Sequence, residues 1–593
     1  PACSEASTYY VGKSGSDANS CATATSSAAG SRKLTIASGL TCLAAGDTLT
    51  IGDGTYSETL QSIPNGSVGS YIIIRAENDG NVIVTGLSMV NTDAYINIIG
   101  VNFRSGSSEK YILGNHIKFQ KCEFRGGPSS GNSVNVLIGS NEFNDTADIL
   151  LEDVWVHGSG NGRYNVLVYN SDRVILRRVV VRHDGGWTGP SNPSAGINFY
   201  VSSDSWCFNC IVLDSIASLD WSGAFYMVKN SSVTHANNNN GIVGSIILNN
   251  PDLGLRMDAS AVGNNITNVT LSDTVLWDNI NGGISACCAG NVTATANRLT
   301  VGRSAVTLSG DWKGGYGEFS NGSATITNSI FRDMDADVSG ATATYCDTYS
   351  NSSQNCSATG LHTYDPITNG LTYLARIEAA SNLKTAGSGG SQIGAQIVNK
   401  IGADGTLHGE SSWNSDTGNA LWPWPNETRI KKEMCTDVSI TRGFCGSSSL
   451  TQYVMNYLGN GNPYNVTSYT VTPSAGANGT ISPNTAQTVN SGSTTAFTVT
   501  PSSGYTALVG GTCGGNLAGT TYTTNAVTAN CTVTATFADT TAPTTPTDLD
   551  ARSNSTSTVD LSWQPSTDAV GGTSYRVDYC SGFNCSSWGT LGT

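Results

Sequence analysis

The chain has 593 residues, a formal net charge of −15, and only 12% Asp, Glu, Lys and Arg. That balance excludes a nucleic-acid surface, which needs a basic stripe, and no apolar run reaches the roughly 18 residues of a membrane span. The length exceeds what one compact core organises, and low charge with 68 glycines favours strands and turns over amphipathic helices, so an all-β solenoid with appended modules is expected.

The chain opens at Pro1 without a signal-like segment, which reads as the start of a mature, exported chain. Sixteen cysteines fit the same compartment. Cys21 with Cys42, Cys346 with Cys356, Cys435 with Cys445, Cys513 with Cys531, and Cys580 with Cys585 lie close in sequence and suggest disulfides. Cys207 and Cys210 have CxxC spacing, but Ile211 follows where haem attachment needs His, and no second CxxC supplies zinc ligands. No metal or cofactor is therefore expected, calcium being an unsupported option. The sequons at Asn230, Asn265, Asn268, Asn291 and Asn465 are what chance gives in so Asn-, Ser- and Thr-rich a chain.

From residue 96 onward one template recurs: apolar, any, apolar, two turn residues, apolar, any, apolar, polar. It fits Ile96, Ile98, Val101, Phe103 before Arg104, and Ile117, Phe119, Cys122, Phe124 before Arg125. Further copies are Ile149, Leu151, Val154, Val156 before His157; Val174, Leu176, Val179, Val181 before Arg182; and Trp206, Phe208, Ile211, Leu213 before Asp214. Weaker ones run Val269 to Leu276, Ala294 to Val301 and Ala324 to Phe331. The period of two makes each half a strand with one buried side, and the spacing suits one turn of a parallel β-helix.

Tyr9-Tyr10-Val11-Gly12, Leu43-Ala-Ala-Gly-Asp-Thr-Leu49, Gly54-Thr55-Tyr56 and Ile72-Ile-Ile-Arg-Ala76 resemble the first coils of secreted pectate-lyase-like proteins. The resemblance implies a right-handed parallel β-helix over residues 1–400 with its N-terminal cap. It implies no single activity, because that superfamily mixes lyases, hydrolases, epimerases, tailspikes and adhesins.

Residues 401–465 read as a C-terminal cap, which a solenoid needs to cover its last apolar coil. Asn426 starts one short helix through Glu433, and Ser449 starts another carrying Leu450, Tyr453, Val454 and Tyr457. Trp422 and Trp424 read as packing rather than as a sugar platform. Residues 466–538 resemble an Ig-like repeat stapled by Cys513 and Cys531. Residues 539–593 pair a Pro/Thr linker with what resembles the first half of a fibronectin type III domain, which implies that the natural chain continues.

Two candidate sites follow. Stacking places Arg104, Arg125, His157, Arg182 and Asp214 in one row, with His183, Asp184 and Trp187 nearby, a mostly cationic stripe for an anionic glycan. The plainer reading is a solvated corner on which Glu152 and Asp153 neutralise Arg177 and Arg178. Lys229 and Arg256, about one coil apart, resemble the Lys base and Arg of alginate and chondroitin lyases. In those enzymes acidic residues just before the Lys help bind calcium, whereas Gly223-Ala-Phe-Tyr-Met-Val228 supplies none. No Asp-Asp pair with a following His and no Gly-x-Ser-x-Gly elbow points to a hydrolase.

The leading expectation is an extracellular or cell-surface structural and adhesive protein, with polysaccharide or other surface components as partners and self-assembly into a homo-oligomer or fibre as a narrower form. The alternative is a secreted lyase that cleaves a uronate-containing glycan by β-elimination.

Overall fold

The structure is a computed structural model. It describes residues 6–592 apart from 107, 127–133, 141–145, 159–161, 185–193, 216–222, 231–234, 252, 281, 304–316, 320–321, 335–337, 352–353, 369, 437–442, 447–448, 460–467, 491–493, 569–573 and 581–584. The chain divides into two units, Pro1–Tyr464 and Asn465–Thr593.

The first unit is a parallel β-helix of triangular coils. One coil consists of Asn115–Gln120, Glu123–Arg125 and Val134–Ile138, and the next of Ala147–Glu152, Trp155–His157 and Tyr164–Tyr169. The three strands of a coil pair in parallel with their counterparts in the next, giving a first, second and third face. Alternation sends every second side chain inward. The inner row Leu49, Ile74, Ile98, Phe119, Leu151, Leu176, Cys207, Ile242, Leu271, Ala296, Ile326 and Ala343 is in continuous register along the axis. At the N-terminal end the short helix α1 (Ile36–Leu40) closes the interior with Ile36 and Leu40.

The two turn residues of the template have a physical identity. The second is left-handed, and these residues stack from coil to coil between the first and second faces: Gly100, Lys121, Asp153, Arg178, Asn209, Gly244, Asp273, Arg298, Asn328 and Tyr345 all have positive φ. A left-handed non-glycine residue costs about 1–2 kcal/mol. The corner offsets this by keeping its backbone N–H groups bonded to the next coil, as from Lys121 to Glu152 O at 3.0 Å and from Arg178 to Phe208 O at 2.8 Å. Opposite charges also stack there, with Arg178 bonding Asp153 at 2.7 Å and Arg298 Nε bonding Asp273 at 2.7 Å.

This corner corrects one copy of the template. Leu176 pairs with Cys207 and Val181 with Val212, so the inward residues are Cys207, Cys210 and Val212 rather than Trp206, Phe208, Ile211 and Leu213. The bulkier apolar residues face outward because they too are covered. A one-residue shift in register exchanges the two faces.

What covers them is the segment 371–459, which lies along the solenoid in two passes. The first follows the corner: Asn328 Oδ1 accepts from Ser388 N–H, Asp273 from Gln396 N–H and Asn209 from Ile401 N–H, and Arg178 reaches Asp404. Leu407 and Trp413 then pack on the outer side of the first face, against Leu150, Ile175, Trp206 and Phe208. The second pass roofs the second face, burying Trp155, Val180, Ile211, Leu213, Ile246, Leu248, Val275 and Trp277. It carries helices α2 (Glu427–Met434) and α3 (Leu450–Tyr457). Ser449 Oγ accepts from Gln452 N–H as expected, whereas Asn426 is left-handed and caps nothing through its side chain. Trp422 and Trp424 are each 3% exposed, and the Trp422 indole donates to Ile397 O.

Among the described residues, seven disulfides join Cys21–Cys42, Cys207–Cys210, Cys287–Cys288, Cys346–Cys356, Cys435–Cys445, Cys513–Cys531 and Cys580–Cys585. Cys207–Cys210 lies in the solenoid core, and Cys122 is a buried thiol.

The second unit contains two four-stranded sheets formed by residues 468–539, with Val471, Phe497, Val499, Tyr522 and Val533 in its core. Two antiparallel pairs follow, Thr547–Ser553 with Val559–Gln564 and Val577–Tyr579 with Gly589–Gly592.

Candidate functional site

The row expected as a cationic stripe is partly covered, with Arg104 and Arg125 still partly exposed. Arg104, Arg125, His157 and Arg182 are in register on the outer side of the second face, but Arg182 is followed by Leu213, because Asp214 lies one residue beyond the row. His157 and Arg182 are fully buried under the second pass. Glu123 joins His157 Nε2 at 2.9 Å and Arg104 at 2.5 Å. Arg182 bonds Asp184 at 2.6 Å and donates to Met434 O. These partners hold Glu123 below the usual carboxylate range against the opposing push of burial. Asp214, pushed up by burial, accepts from Tyr453 and Asn249. His183 Nε2 lies 3.0 Å from Gly162 O. Trp187 lies outside the described residues. Nor is the neighbouring corner solvated: Arg177 and Arg178 are fully buried, paired with Glu152 and Asp153 as the sequence suggested. These charges join the solenoid to its roof.

The third face differs. Its outer apolar cluster of Val134, Tyr164, Leu167, Ala195, Tyr226 and Val228 contains no residue of segment 371–459 among the described residues. Strands Gly223–Lys229 and Leu253–Ala259 belong to it, with Phe225 and Met227 facing the core and Tyr226 and Val228 facing out. The same parity turns Arg256 and Asp258 outward, where Arg256 pairs with Tyr226 and Asp258 with Val228. Ser285 and Cys287 follow on the next coil.

These side chains form a connected cluster. The Tyr226 hydroxyl donates to Asp258 Oδ2 at 2.7 Å, and Arg256 Nη2 donates to the same oxygen at 3.0 Å. Arg256 Nη2 also lies 3.6 Å from Cys287 Sγ. Burial and the Asp258 charge hold the Tyr226 phenol well above its usual range. Lys229 ends its strand opposite Ala259, three positions beyond the Tyr226–Arg256 pair. Its ammonium donates to His235 O at 2.5 Å, and burial pushes it down from the usual lysine range. His235 Nε2 meets Asp172 at 2.8 Å. Lys229 and Arg256 therefore occupy adjacent strands, but Lys229 has the inward parity of Phe225 and Met227 and stands opposite the core residue Ala259, whereas Arg256 faces outward.

The face also holds unmet hydrogen-bonding capacity. Asn198, in register with Tyr226, is fully buried with the Tyr164 hydroxyl beside its amide, and Asp258 Oδ1 lacks a partner. A buried polar group left unpaired costs about 1–3 kcal/mol. Beside them Tyr169 and Tyr200 meet edge to face at 5.0 Å.

Among the described residues the donor set does not suit calcium. The stretch before Lys229 offers only the Tyr226 hydroxyl, already committed to Asp258. Asp258, Cys287 and Cys288 lie within 4.8 Å of one another, but the sulfurs are joined and a guanidinium sits against one of them, a poor setting for a hard cation that takes oxygen ligands.

A family model described as Chondroitinase B matches residues 31–171, a stretch that ends before Asn198, Lys229 and Arg256. Among solved structures, pectate lyase Pel9A is similar at 14% identity over 67% of this chain and 98% of that one, with a TM-score of 0.39. The A-module of a mannuronan C-5 epimerase from Azotobacter vinelandii shares 10% identity over 54% and 90% of the two chains, with a TM-score of 0.32. A rhamnogalacturonan lyase shares 12% over 55% and 82%, with a TM-score of 0.33. No curated protein matches the chain.

Proposed function

We propose that the protein is an extracellular polysaccharide lyase acting on a uronate-containing glycan laid along the third face. The observation that carries this reading is the outward-facing Arg256 on the face that, among the described residues, the C-terminal segment leaves alone, with Lys229 at the end of the adjacent strand and its ammonium pushed down by burial. A lowered pKa moves the group toward the neutral amine that a general base requires.

In this reading Arg256 faces the substrate carboxylate and stabilises the charge that develops beside it. Lys229 takes the proton alpha to that carboxylate. The electron pair forms the C4–C5 double bond, the glycosidic C4–O bond breaks, and the leaving oxygen takes up a proton that the new ammonium can return. Asp258 is a positioning residue that fixes Arg256 and Tyr226. The disulfides fit an oxidising location, and no described helix is long and apolar enough to cross a membrane.

Purified protein incubated with alginate, pectate and glycosaminoglycans should generate the ultraviolet absorbance of unsaturated uronates. Lys229→Ala should lower kcat by about 100-fold or more, and Arg256→Ala should abolish product formation. Full activity in both variants would sink the assignment. Glycan binding without cleavage is the second reading, favoured by the hold of Asp258 on Arg256, which leaves that pair without net charge. Fibre assembly by coil stacking ranks lower, because α1 closes the first coil.

A further inference from the structure

The coil after Arg256 ends its third-face strand with two adjacent cysteines. Cys287 is the last residue of that strand and shares the outward parity of Ser285. It stands in register with Asp258 on the coil before. Cys288 has left the strand with a φ of +86°, and its sulfur is joined to that of Cys287.

This disulfide is a weak staple. The entropy that a cross-link removes from the unfolded chain grows with the loop it closes. A bond between neighbours closes the smallest loop possible, whereas the six others among the described residues span 3 to 21 positions. Beside it Asp258 is 9% exposed, with Oδ2 held by Tyr226 and Arg256 and Oδ1 unmet.

We propose that Cys287 and Cys288, once reduced, form with Asp258 a three-ligand site for one thiophilic divalent cation of the zinc and cadmium class. The site does not depend on whether this face binds a glycan.

A dithiol reductant opens it. Cys288 is half-buried and gives the reductant a sulfur to attack. The bond between the two sulfurs breaks, two electrons and two protons leave both cysteines as thiols, and the reductant becomes the disulfide. The cation then displaces the two thiol protons.

Geometry and charge both favour this occupant. Adjacent coils are about 4.8 Å apart, which sets Asp258 beside Cys287, and the next residue in the chain brings the second sulfur. Ligands about 2.0–2.3 Å from a tetrahedral ion lie about 3.5 Å from one another, inside the 4.8 Å that spans these three atoms. While the pair is oxidised, Asp258 and Arg256 cancel. Two thiolates add two negative charges, which one divalent cation neutralises. Arg256, 3.6 Å from Cys287 Sγ, favours the thiolate. Two sulfurs among three ligands select a soft or borderline ion over calcium or magnesium, which take oxygen.

The test uses the full chain, treated with a dithiol, freed of it under nitrogen, and titrated with cadmium, whose bond to thiolate gives an ultraviolet charge-transfer band. The parent should take up one equivalent more than Cys287→Ser/Cys288→Ser, with the band, and a chelator should reverse it. Asp258→Asn should keep the band and weaken binding by about tenfold or more. Zinc should compete, and excess calcium should not. Alkylation with mass spectrometry shows which pairs the dithiol opened, and circular dichroism shows that each variant is folded. If the double variant does not fold, Cys288→Ser, which leaves one thiol, takes its place. Equal uptake by the parent and the cysteine variant, uptake by untreated parent, or undiminished affinity in Asp258→Asn would each overturn the site. So would a Cys287–Cys288 pair that stays closed in the dithiol.

Discussion

Single residues on this protein have opposite fates depending on what lies outside them. Asp347 sits fully buried in a late coil, with Oδ1 accepting from Tyr364 N–H at 3.0 Å and Oδ2 unpaired. Burial pushes its carboxyl up to about 7. Between an unfolded value near 3.8 and the folded value, the folded chain binds the extra proton, so stability is lost as pH rises through this window. Asp347→Asn should therefore raise the Tm at pH 8, by an amount equivalent to about 2–4 kcal/mol, and change it little at pH 4. Thermal melts at the two pH values check this, and an equal shift at both would contradict it. The residues of the third face were only half legible in the sequence. Lys229 and Arg256 stood out through resemblance. Tyr226 was hidden in an apolar stretch, Asp258 two positions after Arg256, and Asn198 in the preceding coil; same-parity positions 226 and 228 against 256 and 258 were the available signal.

At the scale of elements, the coils were legible because inward alternation repeats regardless of what lies outside. The exception is informative. At Trp206–Leu213 both sides of the strand are apolar, and sequence alone had no way to rank the small inward Cys207 and Cys210 above the bulky outward Trp206 and Phe208. The roof that reverses the ranking lies some 200 positions away in the chain, at residues such as Leu407 and Trp413. The same roof turned an expected solvated corner into a buried network. Helix α2 shows how closely it is fastened: Glu433 accepts from the Trp155 indole at 2.8 Å, from Asn102 at 3.0 Å and from Arg429 at 2.9 Å. Glu433→Ala removes an acceptor from all three donors, leaving Asn102 only Gly80 O, and should cost about 2–4 kcal/mol, read from the midpoint of urea unfolding. A variant as stable as the parent would show that the helix docks through its apolar side alone.

On the whole-molecule scale, a solenoid in which each coil touches only its neighbours can fray from an end, coil by coil. Here the segment 371–459 bonds Asn102 and Trp155 near one end through Glu433, Asn209 and Asp214 in the middle through Ile401 and Tyr453, and Asn328 near the other end through Ser388. It works as a splint laid lengthwise across the stack. A pulled solenoid without one would give way in a sawtooth, one coil per tooth. This one should hold until the splint tears loose and then yield in a single rip, so that a long surface stays straight under a lateral pull.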